Sequence, residues 1–233
     1  MMKKIFAIVL ALTLVLSLAA CDLLPDIRGD VNPKPAGAAT AAPTKGNVAE
    51  APAEEPELSV GSSTSNTYKN EFIGIQCTLG SEWTFKTDAE IQEINKTTAG
   101  MMGDDYKDII TNMAVIQDMM ATHSNQMDTV NVVLEKLSGV NVLISEEQYC
   151  NLSKDATVQA LTSMGMNITS AEVVKIQFAG EEHAAIAIAG DYAGLAIYEC
   201  VVAVKCNGYI ACVSVATWFE NNCQEILNQF SPC

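Results

Sequence analysis

The chain has 233 residues, with 28 acidic side chains against 13 basic ones and a formal net charge of −15. Such an excess of negative charge repels phosphate backbones and anionic lipid headgroups, and no basic stripe with interleaved aromatic residues offsets it. The composition therefore argues against nucleic acid as a partner, and solubility accounts for the acidity.

The first 21 residues have the order of an export signal. Lys3 and Lys4 precede an apolar run from Ile5 to Leu16, and small residues then lead to Cys21. The apolar run is too short to span about 30 Å of hydrocarbon as a stable helix. Residues 1–20 are therefore predicted to be a signal peptide.

The tetrapeptide Leu18-Ala19-Ala20-Cys21 resembles the lipobox of bacterial lipoprotein signals, in which Leu, a small residue and Ala or Gly precede Cys. The resemblance implies cleavage between Ala20 and Cys21, lipidation of the Cys21 sulfur with diacylglycerol, and often acylation of the new amino terminus, as by palmitate. Several acyl chains anchor durably because each buried methylene contributes about 0.8 kcal/mol. The implied location is the extracytoplasmic face of the cell membrane. The alternative is an ordinary secretory signal cut after Ala20.

Residues 21–66 are predicted to be the lipidated cysteine followed by a disordered tether rich in Pro, Ala and Thr. Six of the seven prolines lie in this segment. It has few large apolar side chains, so it cannot bury enough surface to offset the entropy of ordering. A flexible chain of this length spans about 40 Å, enough to lift a domain off a membrane.

Residues 67–233 are predicted to form one globular domain. Its first half is predicted to contain a strand at 68–79, a helix from Thr87 opened by the capping box Thr87-Asp88-Ala89-Glu90, a short helix from Asp104, strands at 115–123 and 130–137, a helix opened by the capping box Ser145-Glu146-Glu147-Gln148, and a helical stretch at 155–164 ended by Gly165.

Four strand-like runs follow, at 172–178, 183–189, 195–205 and 209–218, and the turns between them predict an antiparallel meander. Asn207-Gly208 favours a two-residue type I′ turn. That turn places Cys206 opposite Tyr209, Cys200 opposite Val215 and Cys212 opposite Ala203. A last helix is predicted from the spacing of Cys223, Ile226, Leu227 and Phe230.

The register also bears on the seven cysteines other than Cys21. Cys212 faces the opposite side of the hairpin from Cys200 and Cys206, which are six residues apart on one strand. None of these three can bridge another within the hairpin. We predict no disulfide, with the thiols acting as small hydrophobic side chains.

Both faces of this hairpin are largely apolar, so both need to be covered. One face carries Cys200, Val202, Val204, Tyr209, Ala211, Val213 and Val215; the other carries Glu199, Val201, Ala203, Lys205, Ile210, Cys212, Ser214 and Ala216. The predicted fold class is therefore α+β, an α/β/α sandwich with a mainly antiparallel central sheet.

The domain resembles the PsbP-like fold, especially small clostridial lipoproteins built on it. The resemblance rests on Asn66-Thr67-Tyr68-Lys69-Asn70, the glycine of Ile73-Gly74-Ile75, Trp83 after a tight turn, and a final strand pair leading to Ile226-Leu227 and Phe230. The family's Pro-x-Gly-Trp turn is replaced by Leu79-Gly80-Ser81-Glu82-Trp83, which lacks the proline. The resemblance implies a binding or accessory domain without catalysis, and a fold alone does not fix function.

The sequence contains no recognisable catalytic, metal or cofactor motif. The nucleophile elbow Gly-x-Ser-x-Gly, the Gly-rich phosphate loop and the His-Glu-x-x-His helix are all absent. We therefore predict no catalytic residue, no metal and no cofactor. The alternative is an envelope hydrolase with a Ser/His site, or with Cys150 paired to His123 or His183.

Candidate binding residues come from the frequent methionines and the two tryptophans. Methionine side chains fill cores or line adaptable grooves. Met119 and Met120 on one strand would point to opposite faces, so a binding surface is expected around the exposed one, together with Trp83 and Trp218. The predicted function is a non-catalytic binding or accessory module of the cell envelope. Its partner is an envelope protein, a glycan or a small molecule.

Overall fold

A computed structural model of the chain describes residues 58–102, 115–137 and 142–233, without the side chains of residues 97–102. The predicted signal peptide, Cys21, the tether up to residue 57 and the helix predicted from Asp104 lie outside these ranges.

The described residues form an α+β fold with antiparallel sheets. In chain order the elements are β1 (Ser62–Ser63), β2 (Thr67–Asn70), β3 (Ile75–Thr78), β4 (Trp83–Phe85), α1 (Asp88–Met102), β5 (Val115–His123), β6 (Thr129–Lys136), α2 (Glu146–Ser163), β7 (Asn167–Phe178), β8 (Glu181–Tyr192), β9 (Leu195–Cys206), β10 (Tyr209–Trp218), α3 (Cys223–Leu227) and β11 (Phe230–Pro232).

A seven-stranded sheet in the order β4-β5-β6-β10-β9-β8-β7 forms the centre of the domain. The register predicted from Asn207-Gly208 is confirmed, because Cys206 pairs with Tyr209 and Cys212 pairs with Ala203. The φ angles of Asn207 and Gly208 are 43° and 79°, as a type I′ turn requires. The predicted meander is therefore correct.

Both faces of this sheet are covered. We call them the α2 face and the β3 face, after the element that lies on each. On the α2 face, helix α2 covers β7, β8 and β9, and Ile91 of α1 packs against Met120 of β5. On the β3 face, the cover is a four-stranded sheet in the order β1-β2-β3-β11, together with α3. The second cover is thus largely a sheet, where helices were expected.

Three predicted elements differ from the structure. The run at 68–79 is two strands, because the Asn70 side chain accepts hydrogen bonds from the Phe72 and Ile73 amides and Gly74 takes a φ of 71°. The two helical stretches before Gly165 are one helix. The last helix ends at Leu227, because Phe230 pairs with Cys77 in the small sheet.

The predicted boundary at residue 67 is also wrong. Ser62 and Ser63 pair with Lys69 and Tyr68, so the ordered domain includes residues that were predicted to belong to the tether. Short polar residues in this segment gave no apolar signal, since a two-residue strand is held by its backbone alone.

Asp118 holds the small sheet against the large one. It lies at a register shift between Gln117 and Met119 in β5, where a bulge turns its side chain toward the β3 face. Its carboxylate accepts hydrogen bonds from the Tyr68 hydroxyl at 2.5 Å, the Asn70 amide nitrogen at 2.7 Å and the Gly61 backbone nitrogen at 2.7 Å. Burial, reinforced by Asp118, raises the pKa of Tyr68.

We expect Asp118→Ala to destabilise the protein strongly, because it removes the acceptor of the buried Tyr68 hydroxyl and one of the two acceptors of the Asn70 side-chain nitrogen. The expected loss in the free energy of unfolding is about 2–4 kcal/mol, measured by urea denaturation. Glu71→Ala is the matched control, since it breaks only the exposed Lys69–Glu71 ion pair, which water screens. Equal effects of the two variants would contradict the role of Asp118.

Candidate functional site

A concave pocket of about 380 Å³ lies where helix α2 begins over the ends of β8 and β9. We call it the α2 pocket. Its volume is within the range of small-ligand sites. It is lined by Ser145, Glu146, Glu147, Lys175, Glu182, His183, Ala184 and Lys205.

The helix start is fixed by the predicted capping box. The Ser145 hydroxyl accepts a hydrogen bond from the Gln148 amide at 3.2 Å, and the Gln148 side chain accepts one from the Ser145 amide at 2.8 Å. Because the cap uses both groups of Ser145, the hydroxyl is held as a structural acceptor. This fixed turn positions Glu146 above the sheet.

An ion pair between His183 and Glu146 forms the floor of the pocket. The His183 Nδ1 atom lies 3.1 Å from both Glu146 oxygens, and the two side chains are only 12% and 22% exposed. The Lys205 backbone amide also donates to Glu146 at 2.8 Å. Partial burial strengthens these interactions relative to a surface pair.

The pKa shifts agree with this arrangement. The hydrogen bond to Glu146 raises the pKa of His183, although burial opposes it. Burial alone would raise the pKa of Glu146, but the hydrogen bonds from His183 and the Lys205 amide outweigh it and lower that pKa. Both shifts favour the charged forms, so the imidazolium and the carboxylate stabilise each other.

Two lysines complete the rim. The Lys205 ammonium donates to the Ile144 carbonyl at 2.8 Å, which fixes it beside the helix start. The Lys175 Nζ atom lies 3.3 Å from the Glu182 Oε1 atom, and both side chains are more than half exposed. The pocket therefore presents cationic and carboxylate groups together, in a protein whose overall charge is strongly negative.

The thiol hydrolase alternative requires a reactive Cys150 in contact with His123 or His183, and the described contacts do not support it. Cys150 is buried, and burial raises the pKa of its thiol to about 12, which suppresses the reactive thiolate. His183 bonds Glu146, while the His123 Nδ1 atom accepts from the Asn125 amide at 3.3 Å and its ring packs edge-on against Trp83. Neither contact involves a nucleophile.

The four predicted binding residues are all buried. Trp83 is 8% exposed, Trp218 3%, Met119 1% and Met120 0%. The expectation that one methionine of the pair is exposed is therefore wrong. The two do point to opposite faces, but each face has a cover: Met119 belongs to the core of the β3 face, and Met120 packs under Ile91 of α1.

Other candidate features give little. Among the described residues, no cluster of three or more His, Cys, Asp or Glu side chains could hold a metal ion, and the seven cysteines from Cys77 to Cys233 are free thiols. Within the same ranges, no helix has the length and hydropathy needed to cross a bilayer. Cys21 and Ala20 lie outside the described residues, so lipidation remains a prediction.

Sequence reasoning missed Glu199. This glutamate is 3% exposed on the α2 face, and neither of its carboxylate oxygens has a hydrogen-bond partner. Burial raises the pKa of Glu199 well above its usual range. The strand alternation already placed Glu199 on an inward face, so an acidic residue there was the available signal.

No family model and no curated protein matches the chain. Among solved structures, the chain is similar to the solution structure of cyanobacterial PsbP (CyanoP) from Synechocystis sp. PCC 6803. The TM-score is 0.41 with 10% sequence identity, and the match covers 76% of this chain and 99% of that chain.

We expect the His183–Glu146 pair to stabilise the fold within a defined pH window. The contribution of His183 is complete below its ordinary pKa of 6.5 and is lost as pH rises through the raised folded value. The contribution of Glu146 is complete above 4.5 and is lost as pH falls. The cost of His183→Gln in the free energy of unfolding should therefore be largest near pH ~5.5 and shrink toward pH ~9.

His123→Gln is the control, because His123 bonds a backbone amide instead of a carboxylate. A cost that does not change with pH would contradict the ion pair.

Glu199 should show a different pH dependence from the His183–Glu146 pair, because it is a buried acid whose pKa is raised. Because its folded pKa is raised, the protein should lose stability as pH rises from the ordinary value of 4.5 through the folded value. Glu199→Gln removes this titration and nearly preserves the shape. Urea denaturation should show the variant gaining on the wild type as pH increases, whereas the exposed control Glu220→Gln should not. A constant difference would show that Glu199 ionises freely.

Proposed function

We propose that the protein is a lipoprotein anchored through Cys21 to the extracytoplasmic face of the cell membrane, where it acts as a non-catalytic binding or accessory module. The observation that carries the proposal is the α2 pocket, whose His183–Glu146 pair, lysines and additional glutamates form a concave polar surface. We assign this pocket as the binding site.

The contacts in the pocket favour binding over chemistry. The hydroxyl of Ser145 is held by the helix cap, and the raised pKa of His183 keeps its ring protonated to higher pH, so the ring is less available as a base. A general base also needs a nucleophile within reach, and the described hydrogen bonds of His183 are with Glu146 and not with a serine, threonine or cysteine. These observations support a site that recognises a partner without activating it.

The charge pattern limits the partner. Lys175, Lys205 and protonated His183 lie beside Glu146, Glu147 and Glu182, so the pocket is close to electrically balanced. Such a surface suits a polar envelope protein, a glycan or a small molecule with several hydrogen-bonding groups, and it offers no concentrated positive charge to nucleic acid.

The anchor predicts a simple fractionation result. The full-length wild-type protein should sediment with membranes, because acyl chains on Cys21 bind the bilayer. Cys21→Ser removes the acylated sulfur and should move the protein out of the lipid-anchored fraction, as measured by detergent partitioning and intact mass. Cys233→Ser is the matched control, since it replaces an exposed cysteine in the folded domain. Membrane retention and an unchanged mass in Cys21→Ser would contradict the anchor.

The pocket predicts a specific loss of partner capture. We expect a pull-down with the full-length protein, read by mass spectrometry and glycan analysis, to enrich a partner from envelope extract. Lys175→Glu reverses an exposed charge at the pocket rim and should reduce the captured amount at least tenfold, because it removes the Lys175 donor and places a second negative charge beside Glu182.

Lys69→Glu is the matched control, because Lys69 is also exposed and ion-paired but does not line the pocket. Equal capture by the two variants would contradict the assignment of the pocket. Turnover of envelope substrates by the wild type, abolished in His183→Gln, would favour the hydrolase alternative.

A further inference from the structure

Two buried thiols, those of Cys200 and Cys223, lie in the core of the β3 face. Cys200 belongs to β9 and Cys223 is the first residue of α3, and both are members of the same group of buried side chains. Their exposed fractions are 8% and 4%, and both are free thiols in the structure. Neither lines the α2 pocket.

The Cys223 sulfur lies over the pair of strands β9 and β10. It is 3.6 Å from the Tyr198 carbonyl oxygen, 3.5 Å from the Val215 carbonyl oxygen and 3.6 Å from the Thr217 hydroxyl oxygen. Cys200 pairs with Val215, and Tyr198 pairs with Thr217. These four paired residues mark a rectangle of about 5 by 7 Å on one face of the sheet. A sulfur held over the rectangle lies about 4 Å from each corner, and Cys200 occupies one corner.

The electrostatics of the two thiols agrees with this proximity. Burial raises the pKa of Cys200 to about 12, and the charge of Cys223 is the next largest cause of that rise. Burial also raises the pKa of Cys223, to about 11. Two thiolates side by side would repel each other, whereas a disulfide carries no charge and is compatible with an apolar core.

The hairpin register excludes a bridge from Cys200 to the other two cysteines of the hairpin. Cys206 is six residues away on the same strand, a distance of about 20 Å. Cys212 points to the α2 face, where its sulfur lies 3.3 Å from the Tyr149 hydroxyl oxygen. Cys223 is not subject to this limit, because it reaches the β3 face from α3, outside the hairpin.

We propose that Cys200 and Cys223 are a site of covalent modification, which a small-molecule disulfide such as oxidised glutathione converts into a bridge between β9 and α3. The bridge would form in any compartment that supplies such a disulfide, so it does not depend on an anchor at Cys21.

The reaction consists of two successive thiol–disulfide exchanges. The Cys223 thiolate attacks one sulfur of oxidised glutathione, whose S–S bond breaks and releases one glutathione thiolate. The Cys200 thiolate then attacks the Cys223 sulfur of the mixed disulfide and displaces the second glutathione thiolate. The two cysteine sulfurs are oxidised, the oxidant is reduced to two thiols, and the two cysteine protons pass to the released thiolates.

Local opening of α3 gives the oxidant access to the buried thiols. The helix has five residues, and its N-cap residue Asn222 makes no side-chain capping hydrogen bond. Short elements of this kind open at a lower free-energy cost than central strands. Because the oxidant has to wait for this opening, the bridge should form more slowly than the mixed disulfide of the exposed Cys233.

The test is incubation of the full-length protein with oxidised glutathione in native buffer. An acid quench, denaturation, alkylation of the remaining thiols and peptide mapping by mass spectrometry follow. We expect a pair of peptides joined through Cys200 and Cys223, with a mass two hydrogen atoms below the sum of the reduced peptides. The urea midpoint of the bridged protein should be higher by about 1 M, because the bridge constrains the unfolded chain.

Variants assign the bridge to this pair. Cys200→Ser and Cys223→Ser should each abolish the joined peptides, with circular dichroism confirming that each variant is folded. Cys212→Ser is the matched control, because it removes another buried thiol of the same hairpin, on the opposite face. The joined peptides should persist in that variant.

Three results for the wild-type protein would overturn the proposal. These are the absence of joined peptides when Cys233 has already reacted with the oxidant, a bridge that joins a different pair of cysteines, and a Cys200–Cys223 bridge that forms only in unfolding concentrations of urea. None of them bears on the α2 pocket, since the pocket and the thiol pair share no residue.

Discussion

The fold depends on one constraint, which is that the central strands β6, β10 and β9 are apolar on both faces. Val130, Val132 and Val213 point to the β3 face, while Val133, Val201 and Ile210 point to the α2 face. A sheet of this kind is stable only when both faces are removed from water. Helices α1 and α2 on one face, and the four-stranded sheet with α3 on the other, meet this requirement. Asp118 then joins the two sheets through hydrogen bonds at a bulge.

The same arrangement creates the candidate functional features. Helix α2 packs across β7, β8 and β9, so its first turn lies over the ends of β8 and β9, where His183 and Lys205 are located. The α2 pocket is therefore a consequence of how the α2 face is covered. Farther along this face, the cover leaves the buried Glu199 carboxyl group without a hydrogen-bond partner.

The parts of the fold that local chemistry decides were predictable. Asn207-Gly208 gave the hairpin register residue by residue, and Ser145 with Gln148 gave the start of α2. Long-range pairing was not predictable. Cys223, Ile226, Leu227 and Phe230 have the spacing of one helix, but in the structure the helix ends at Leu227 and Phe230 pairs with Cys77 in a strand. The exposure of Trp83 and Met120 also depended on covers that strand alternation does not reveal. The pocket was missed because His183 and Glu146 are 37 residues apart and meet only through the sheet.

Hydrogen exchange measured by mass spectrometry, on the full-length protein with and without envelope extract, tests most directly that the α2 pocket is the binding site. Binding there should protect backbone amides at the start of α2, at 182–184 and at the end of β9, while the rest of the domain exchanges as before. Protection confined to another surface, or none at a protein concentration that captures a partner, would contradict the assignment.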